Sequence, residues 1–414
     1  MTRGRWRWLL RQVTRRIWFR AGLFSLLAVA TALVGAWASP YISLELSATI
    51  GADAVDNILG ILASSMLTVT TFSLSTMVSA YSAATSNVTP RANILIMEDS
   101  TTQNVLSTFI GSFLFSLVGI IALSTGTYGA QGRVVLFGVT ILVIGFILVT
   151  LLRWIDHLSR LGRVTETTQR VEEAAIKAIR DRRRRPHLGC RPLRDRANGI
   201  PAGARRVAAP ALGYVQHIDV EALGLLAAKA SARLFVLRLP GEMADTTEAI
   251  IAVEGGPVDD AALGGCFTIG DRRSFDQDPR FGICVLTEVA SRALSPATND
   301  LGTAVDVIGR LVRVLAAWAE PADADATEIA GVFVPPLRVD DLFDDAFLAI
   351  GRDGANVVEV GTRLQKALHT LSRLDHPDFA EAARRHSRLA MRRAELVLQL
   401  NDDKRLLEDL AAKI

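Results

Sequence analysis

The sequence predicts an α-helical membrane protein, with four transmembrane helices followed by a cytosolic α+β domain and a helical C-terminal tail. Four apolar stretches in the first 152 residues are each long enough to cross a hydrocarbon core of roughly 30 Å. From residue 213 the pattern changes to short β-branched runs separated by Gly and Pro turns, and then to amphipathic helices. The composition fits both parts, because the 414 residues are 50% hydrophobic yet 21% charged.

Residues 1–20 form a basic segment with seven arginines, among them Arg3 and Arg20, and three tryptophans. The first predicted span, residues 21–40, follows directly. Because basic residues stay on the cytoplasmic side, we expect the N-terminus to lie in the cytoplasm. The alternative is a cleaved signal peptide, since Ala36-Trp37-Ala38 has the small-x-small form of a cleavage site.

The second span, residues 58–86, carries no charged side chain and has hydroxyl side chains at steps of three or four. This spacing places them on one side of the helix, here called the hydroxyl face. Its members are Ser64, Thr68, Thr71, Ser75, Ser79 and Ser82, with Ser86 at the end. The pattern fits either a pore lining or a helix-packing face.

The third and fourth spans cover residues 104–125 and 134–152. Small side chains at Thr108, Ser112, Ser116 and Gly119 predict that the third helix approaches a neighbour closely. Arg153 marks the inner end of the fourth span, so both termini are expected to be cytoplasmic. The helical pattern continues as a stalk, residues 154–185. The arginine run that ends it is either a solvated helix end or a site for anionic headgroups.

Three regions complete the predicted domain organisation. Residues 186–210 are rich in Pro, Gly and Arg and are predicted to be a linker. Residues 211–339 are predicted to form the α+β domain, and residues 340–414 the helical tail. In the tail Leu396, Leu400 and Leu407 lie near heptad spacing, which fits packing within the domain or contact between subunits.

The densest polar cluster of the chain lies in the predicted α+β domain. Asp278 and Asp300 each precede a helical pattern and are expected to act as N-caps. The cluster is either a set of caps and salt bridges or a cytosolic site for an anionic ligand. Its members are Arg272, Arg273, Asp276, Asp278, Arg292, Ser295, Asn299 and Asp300.

Several segments of the chain resemble an uncharacterised bacterial family of predicted multi-pass membrane proteins. They are Phe72-Ser73-Leu74-Ser75, Thr89-Pro90-Arg91, the segment from Asp276 to Gly282, and the ALSP…ND motif from Ala293 to Asp300. Leu301 departs from the pattern, because the family is expected to have proline there. The resemblance implies an inner-membrane location and no defined activity.

The usual signatures of catalysis and cofactor binding are missing from the sequence. No phosphate loop, GxGxxG, HExxH or GxSxG motif occurs, and the histidines do not cluster. Cys190, Cys266 and Cys284 form no CxxC pair, so neither a zinc site nor a disulfide framework is expected. We therefore expect no enzyme activity, no metal and no cofactor, and the net charge of +3 suggests no nucleic-acid partner.

The predicted spans contain no ionisable side chain, which argues against a proton-driven carrier. His157, at the base of the fourth span, is expected to be an interfacial residue, with a pH sensor as the alternative. The first functional hypothesis is a homo-oligomer in the lipid bilayer of the bacterial inner membrane, forming a channel or transport pathway lined by the hydroxyl face. The second is a membrane-tethered scaffold or sensor whose cytosolic domain binds a ligand or partner.

Overall fold

The computed structural model describes residues 52–97, 99–125, 130–196, 198–321 and 328–414, together with six single residues between 19 and 30. The chain divides into two compact units. One extends to Thr167, and the other runs from Thr168 to Ile414. We call them the membrane unit and the downstream unit.

The described part of the membrane unit is helical. Its helices are α1 (Ala52–Asn87), α2 (Asn93–Met97), α3 (Ser100–Ser124) and α4 (Ala130–Arg160). Three segments are long and apolar enough to cross a membrane, namely Ala54–Ala83, Ile94–Ser124 and Arg133–Arg160. They correspond to the second, third and fourth predicted spans, although the second ends three residues before, and the third one residue before, the predicted end. The first predicted span, residues 21–40, lies largely outside the described residues, so it stays a prediction.

The helices α1, α3 and α4 pack along two apolar clusters. Leu59, Phe115 and Leu136 form the centre of one, and Phe109 and Trp154 belong to the other. The small side chains of α3 permit this packing, because a Cβ at Gly119 would lie 3.0 Å from Leu59 Cδ1. Close approach of the third helix to a neighbour is therefore a feature of the fold, as its small residues suggested.

The predicted stalk differs from the structure in one respect. The fourth helix does not continue without interruption, because α4 ends at Arg160 and α5 begins at Val164 and ends at Arg184. Gly162 lies between them with φ of +80°, a conformation that L-residues other than glycine rarely adopt. The three-residue break turns one predicted stalk into two helices.

The downstream unit contains two β-sheets. The strands are β1 (Cys190–Pro192), β2 (Arg205–Ala208), β3 (Gly213–Ile218), β4 (Ala232–Val236), β5 (Met243–Ala244), β6 (Ala249–Gly255), β7 (Phe267–Gly270) and β8 (Ile329–Val334). The larger sheet has the order β1-β8-β4-β6-β2, and the smaller has the order β5-β3-β7. Strands β1 and β2 fall within residues 186–210, so the segment predicted to be a linker supplies both edges of the larger sheet.

Pairing in the larger sheet is mixed. Strand β4 runs antiparallel to β6 and parallel to β8, and β2 closes one edge antiparallel to β6. Inward residues such as Leu234, Ile251 and Val332 are fully or almost fully buried. They pack against α6 (Val220–Ala230), whose Leu223 is also fully buried. Asp219 caps α6 by accepting a hydrogen bond from the Ala222 N–H at 3.0 Å.

Helices make up most of the rest of the unit. They are the short α7 (Asp260–Gly264), α8 (Pro279–Ala293), α9 (Leu301–Ala319), α10 (Val339–Asp353), α11 (Val358–Ser372), α12 (Phe379–Val397) and α13 (Asn401–Ala411). The break after Val397 divides the last predicted tail helix into α12 and α13. Leu407 is buried within the unit, whereas Leu396 is 85% exposed and Leu400 is 58% exposed. The three leucines therefore do not form one continuous packed seam.

Candidate functional site

An arginine-lined cleft of about 440 Å³ opens in the downstream unit. Six of its lining residues are arginines, and three are acidic: Asp195, Glu242 and Asp341. The arginines come from five segments: the end of α5, the loop after β1, the loop after β7, the first turn of α8 and the loop after β8. They are Arg182, Arg194, Arg196, Arg273, Arg280 and Arg338.

Arg273 lines the cleft and is paired with the buried Asp278. Arg273 donates to both carboxylate oxygens of Asp278, at 2.7 and 3.0 Å. Asp278 is 1% exposed and also accepts the backbone N–H groups of Arg280 and Phe281, so it caps α8 as predicted. Burial raises the pKa of Asp278, although the Arg273 guanidinium opposes the shift. Because its carboxylate occupies the start of α8, that helix end has no room for a second anion.

The turn at Pro240-Gly241 lies directly against this carboxylate. Gly241 has φ of +92°, and a Cβ at this position would collide with the Asp278 side chain. Its N–H donates to the Val215 carbonyl oxygen at 2.8 Å, which fixes the turn to β3. Glycine is therefore required here both for its backbone conformation and for the space it leaves.

Arg280 joins α8 to α10 beside the cleft. Its guanidinium donates to both carboxylate oxygens of Asp345, at 2.6 and 3.0 Å, and reaches Asp341 at 3.4 Å. The hydrogen bond with Asp345 raises the pKa of Arg280, although burial opposes the shift. Arg280 is therefore a neutralised wall residue of the cleft.

Arg182 has a different environment. It is 6% exposed, and its one hydrogen bond within the described residues is from Nη2 to the Gln277 carbonyl oxygen, at 2.9 Å. Burial lowers the pKa of Arg182 to about 10, and the charge of Asp278 opposes the shift. Arg182 therefore stays cationic at neutral pH, but no carboxylate is hydrogen-bonded to it.

Helix α5 holds Arg182 at the cleft through contacts with two neighbouring helices. Glu172, earlier in α5, is buried and accepts from Arg310 at 2.7 Å and from Arg313 at 2.5 Å, both on α9. On the α8 side, Gly282 leaves space for Ala175, because a Cβ at 282 would collide with that alanine. The two contacts fix the position of the helix that carries the buried cation.

The loop after β1 supplies the opposite side of the cleft. Arg196 forms a salt bridge with Glu242 at 3.1 Å, and Glu242 also accepts the Leu239 N–H at 2.9 Å. Arg194 is exposed and has neither a hydrogen bond nor an acidic partner among the residues that the structure describes. Among the residues that the structure describes, Arg182 and Arg194 are thus the two cleft arginines to which no carboxylate is hydrogen-bonded.

The structure separates the predicted polar cluster into two groups. Arg273 and Asp278 lie at the cleft, with Arg272 and Asp276 in the same loop. Arg292, Ser295, Asn299 and Asp300 lie at the other end of α8, which at 15 residues is about 22 Å long. Asp300 caps α9 by accepting the Thr303 N–H at 3.0 Å, and hydrogen bonds from Thr303 lower the pKa of Asp300. The eight residues therefore do not surround one ligand.

Sequence reasoning did not identify Arg194, Arg196, Arg280 or Arg338 as site residues, and it considered Arg182 only within an arginine run that could meet anionic headgroups. One signal was present for Arg182. It follows Val171, Ala175 and Ile179 at steps of three or four, and that side of α5 is buried. An arginine that continues an apolar stripe is a candidate for burial, although it stands in a run of exposed arginines.

The hydroxyl face of α1 points away from α3 and α4. Ser64, Thr68, Thr71, Ser75, Ser79 and Ser82 are all exposed. The packed residues Leu62, Met66 and Met77 precede Ser64, Thr68 and Ser79 by two positions, about 200° around a helix, so the two faces are nearly opposite. Thr68 donates to the Ser64 carbonyl oxygen at 2.9 Å, and Ser79 to that of Ser75 at 3.1 Å.

His157 belongs to a polar cluster at one end of the membrane unit. Its Nε2 lies 2.9 Å from Asp99 Oδ2 and 3.1 Å from Thr102 Oγ1. The neighbouring Trp154 ring stacks on the imidazole and donates from Nε1 to Ser73 Oγ at 2.9 Å. The cluster ties α4 to the start of α3 and to the middle of α1. His157 is therefore a packed, hydrogen-bonded residue.

These features define a membrane protein with apolar helices and a downstream α+β unit. The chain belongs to the family described as "Predicted membrane protein (DUF2254)", whose model matches residues 14–370. This finding confirms the resemblance drawn from the ALSP…ND motif and the other segments.

Curated relatives carry no assigned activity. An uncharacterized protein of Mycobacterium bovis and one of Mycobacterium tuberculosis are each 34% identical to this chain over 136 residues. The match covers 30% of this chain and 26% of each relative, so the aligned part is about a quarter of their length. No solved structure matches the chain.

Proposed function

We propose that this protein is a membrane-anchored receptor that binds a small anionic ligand in the arginine-lined cleft. The observation that carries the proposal is Arg182, a buried cation that no carboxylate of the described residues neutralises by a hydrogen bond. The charge of Asp278 acts on Arg182, but the Asp278 carboxylate is hydrogen-bonded to Arg273 and to the start of α8. An anion in the cleft would supply the hydrogen-bonded partner that Arg182 lacks. Arginine is also the residue best suited to planar, bidentate recognition of carboxylate or phosphate.

The chemistry of the lining supports binding over catalysis. The described lining residues provide guanidinium and carboxylate groups, prolines and leucines, but no Ser, Thr, Cys, His or Lys. Ser, Thr, Cys, Lys and His, which often act as nucleophile or base, are thus missing from the described lining, and its carboxylates are the groups left for such a role. The residues present could hold and orient an anion, which is the task of a receptor or sensor.

The receptor belongs in the inner membrane of a bacterium, with the downstream unit in the cytosol. The basic N-terminal segment and Arg153 at the end of the fourth predicted span support this orientation. Helix α5 links the two parts along the chain, since it starts four residues after Arg160 and carries Arg182 near its end. A ligand would reach the cleft from the cytosol.

The test is anion-dependent thermal unfolding of the full-length protein in detergent, with phosphate, sulfate, citrate and ribose 5-phosphate as probes. A ligand at one hundred times its Kd should stabilise the parent by about 2.7 kcal/mol. Arg182→Gln should abolish this response. Arg184→Gln is the matched control, because Arg184 is an exposed arginine on the same helix turn and does not line the cleft. An equal anion response in the parent and Arg182→Gln would refute the receptor.

A second candidate function is a homo-oligomeric channel lined by the hydroxyl face of α1. The observation in its favour is the direction of that face, opposite to the side of α1 that packs on α3 and α4. Hydroxyls that bond their own backbone still offer a weakly polar surface to water or to a neighbouring helix. Copies of α1 around an axis would form a pathway of low charge selectivity.

Substitutions on the hydroxyl face distinguish a pore from a packing face. Thr71→Val with Ser75→Ala and Ser79→Ala keeps the side chains small, so a channel should assemble normally and lose solute flux in liposomes. Ser75→Leu should lower oligomer stability if the face is packed, and should narrow the path without affecting assembly if it lines a wide pore. Absence of flux in the parent protein would exclude the channel and leave the receptor unaffected.

A further inference from the structure

We infer that the cleft is built for a hydroxylated organic phosphate monoester, such as a sugar phosphate; this inference rests on the receptor function proposed above. Four of the six lining arginines are bonded to a carboxylate of the protein. They are Arg196, Arg273, Arg280 and Arg338, whose partners are Glu242, Asp278, Asp345 and Asp340.

The charge of the ligand follows from the remaining two arginines. Arg182 and Arg194 line the same cleft, and neither has a carboxylate hydrogen-bonded to it among the described residues. Two guanidinium groups without a hydrogen-bonded carboxylate favour a ligand that presents several anionic oxygens, as a phosphate group does. A phosphate monoester carries about −1.5 to −2 at pH 7, whereas a phosphodiester or a monocarboxylate carries a single charge.

The size and lining of the cleft indicate an organic body. A cavity of about 440 Å³ lies in the range that small-molecule ligands occupy and is far larger than inorganic phosphate needs. Leu193, Leu239, Pro240, Pro335 and Leu337 provide apolar surface next to the cations. An anion with a carbon skeleton uses both kinds of surface.

A free acceptor oxygen indicates that the ligand carries hydroxyl groups. Asp341 makes one long contact with Arg280, at 3.4 Å, while Asp345 already binds that guanidinium through both oxygens. Asp341 can therefore accept hydrogen bonds from a ligand at little cost to the protein. The Asp341 carboxylate would repel a carboxylate of the ligand from this position, but it would bind a sugar hydroxyl.

The absence of aromatic rings distinguishes a sugar phosphate from a nucleotide. None of the described lining residues is Phe, Tyr, Trp or His. A nucleobase in the cleft would lack the ring on which bases commonly stack. A sugar phosphate has no base to stack, so the lack of an aromatic ring does not weaken its binding.

Matched probes test each step by isothermal calorimetry on the full-length protein in detergent. Ribose 5-phosphate should bind, ribose should not, and ethyl phosphate, which lacks the hydroxyls, should bind about tenfold more weakly than ribose 5-phosphate. AMP, which adds a base to the same sugar phosphate, should bind no more tightly than ribose 5-phosphate. Affinity should rise about tenfold from pH 5 to pH 7, as the second phosphate proton dissociates near pH 6.

Variants assign the contacts. Arg194→Gln should weaken ribose 5-phosphate about tenfold and leave citrate binding through Arg182 less affected. Asp341→Ala should reduce the affinity for ribose 5-phosphate to that for ethyl phosphate, and should leave ethyl phosphate unchanged. Arg184→Gln should change the affinity for neither ribose 5-phosphate nor ethyl phosphate.

The possible failures are distinguishable. Binding of citrate that depends on Arg182, with no binding of any phosphate monoester, would overturn the sugar-phosphate inference and keep the receptor. If AMP binds at least tenfold more tightly than ribose 5-phosphate, the sugar-phosphate inference is likewise overturned and the receptor is kept. If no anion binds in a manner that depends on Arg182, the receptor fails and the inference fails with it.

Discussion

Single residues at the cleft wall carry constraints that their type alone does not show. Gly241 combines a positive φ with direct contact of its backbone against the buried Asp278 carboxylate. Asp278 in turn holds Arg273 and the first turn of α8. A side chain at position 241 would therefore disturb the backbone, the ion pair and a helix cap together.

The substitution Gly241→Ala tests this dependence. We expect it to lower the free energy of unfolding by about 1 to 3 kcal/mol, from backbone strain and displacement of Asp278. Thermal unfolding of the full-length protein measures the effect. Gly203→Ala is the control, because a Cβ at Gly203 meets no atom within 4 Å. Equal stability of the two variants would show that the turn at 241 adapts without cost.

His386 on α12 provides a residue-scale test of pH dependence. Burial lowers the pKa of His386 to about 4, with Arg385 acting in the same direction and Asp344 opposing it. In the unfolded chain histidine titrates near 6.5, so between pH 6.5 and pH 4 the unfolded state binds more protons. Stability should therefore fall as pH falls through this window, by on the order of 3 kcal/mol.

Urea unfolding at several pH values measures that slope. His386→Gln should flatten the dependence between pH 6.5 and pH 4, because the titrating group is gone. His369→Gln serves as the control, since His369 lies at the surface and bonds the Lys413 carbonyl oxygen. If the slope persists in His386→Gln, other groups cause the acid sensitivity.

At the scale of elements, helix α5 is held by a buried ion cluster. Glu172 is 7% exposed and binds Arg310 and Arg313 of α9, while Arg180 near the other end of α5 binds Glu320 at 3.1 Å. The first contact is buried and the second is exposed. The buried cluster should therefore dominate the stability of this helix pair.

Glu172→Gln should destabilise the downstream unit by about 3 kcal/mol, because it leaves the buried Arg310 with a weaker partner. Glu173→Gln, one position along on the exposed side of α5, should cost less than about 0.5 kcal/mol. Chemical denaturation of both variants measures the two losses in the free energy of unfolding. A small effect of Glu172→Gln would mean that the Asp306 carboxylate, 2.6 Å from Arg310, compensates alone.

Elements marked by local signals could be predicted from the sequence, and those defined by distant contacts could not. Asp278-Pro279 and Asp300 precede α8 and α9, and both helices begin directly after the predicted caps. The edge strands β1 and β2 carry exposed arginines, and their pairing with β8 and β6 involves residues far along the chain. The segment therefore resembled a linker.

The same distinction holds for the candidate site. The loop with Arg273 and Asp278 stood out because its charges are close in sequence. Arg182 meets Gln277 across 95 residues, so no local pattern could place the two together. Proximity in sequence suggested that Arg292 and Asp300 belong to one cluster with Asp278, whereas the length of α8, 15 residues, lies between Asp278 and Asp300.

At the scale of the whole molecule, the order of the helices makes a topological prediction. Helices α3 and α4 are joined by a short connection, so their linked ends should lie on one side of the membrane. The positive-inside pattern places that side outside and the end of α4 inside. The same pattern predicts Glu45 and Gly129 outside and Glu98 inside, and these three residues lie outside those that the structure describes.

Cysteine labelling tests this orientation in intact cells. Thr125→Cys should react with a membrane-impermeant maleimide added from outside, whereas Ser159→Cys should react only after the inner membrane is opened. The unmodified protein gives the background, which comes chiefly from the half-buried Cys284, since Cys190 and Cys266 are buried. Labelling of Ser159→Cys in intact cells would reverse the orientation and place the cleft on the outer side.

The contact among Gly241, Asp278 and Arg273 has a consequence for evolutionary change. A bulkier residue at 241 is incompatible with the carboxylate, loss of the carboxylate strands the arginine, and loss of the arginine leaves a buried acid. A protein that has lost one of the three residues should be less stable than one that keeps all three or has replaced all three. Lineages should therefore keep the three residues or replace them together. Sequences of the family should show the three positions changing in concert.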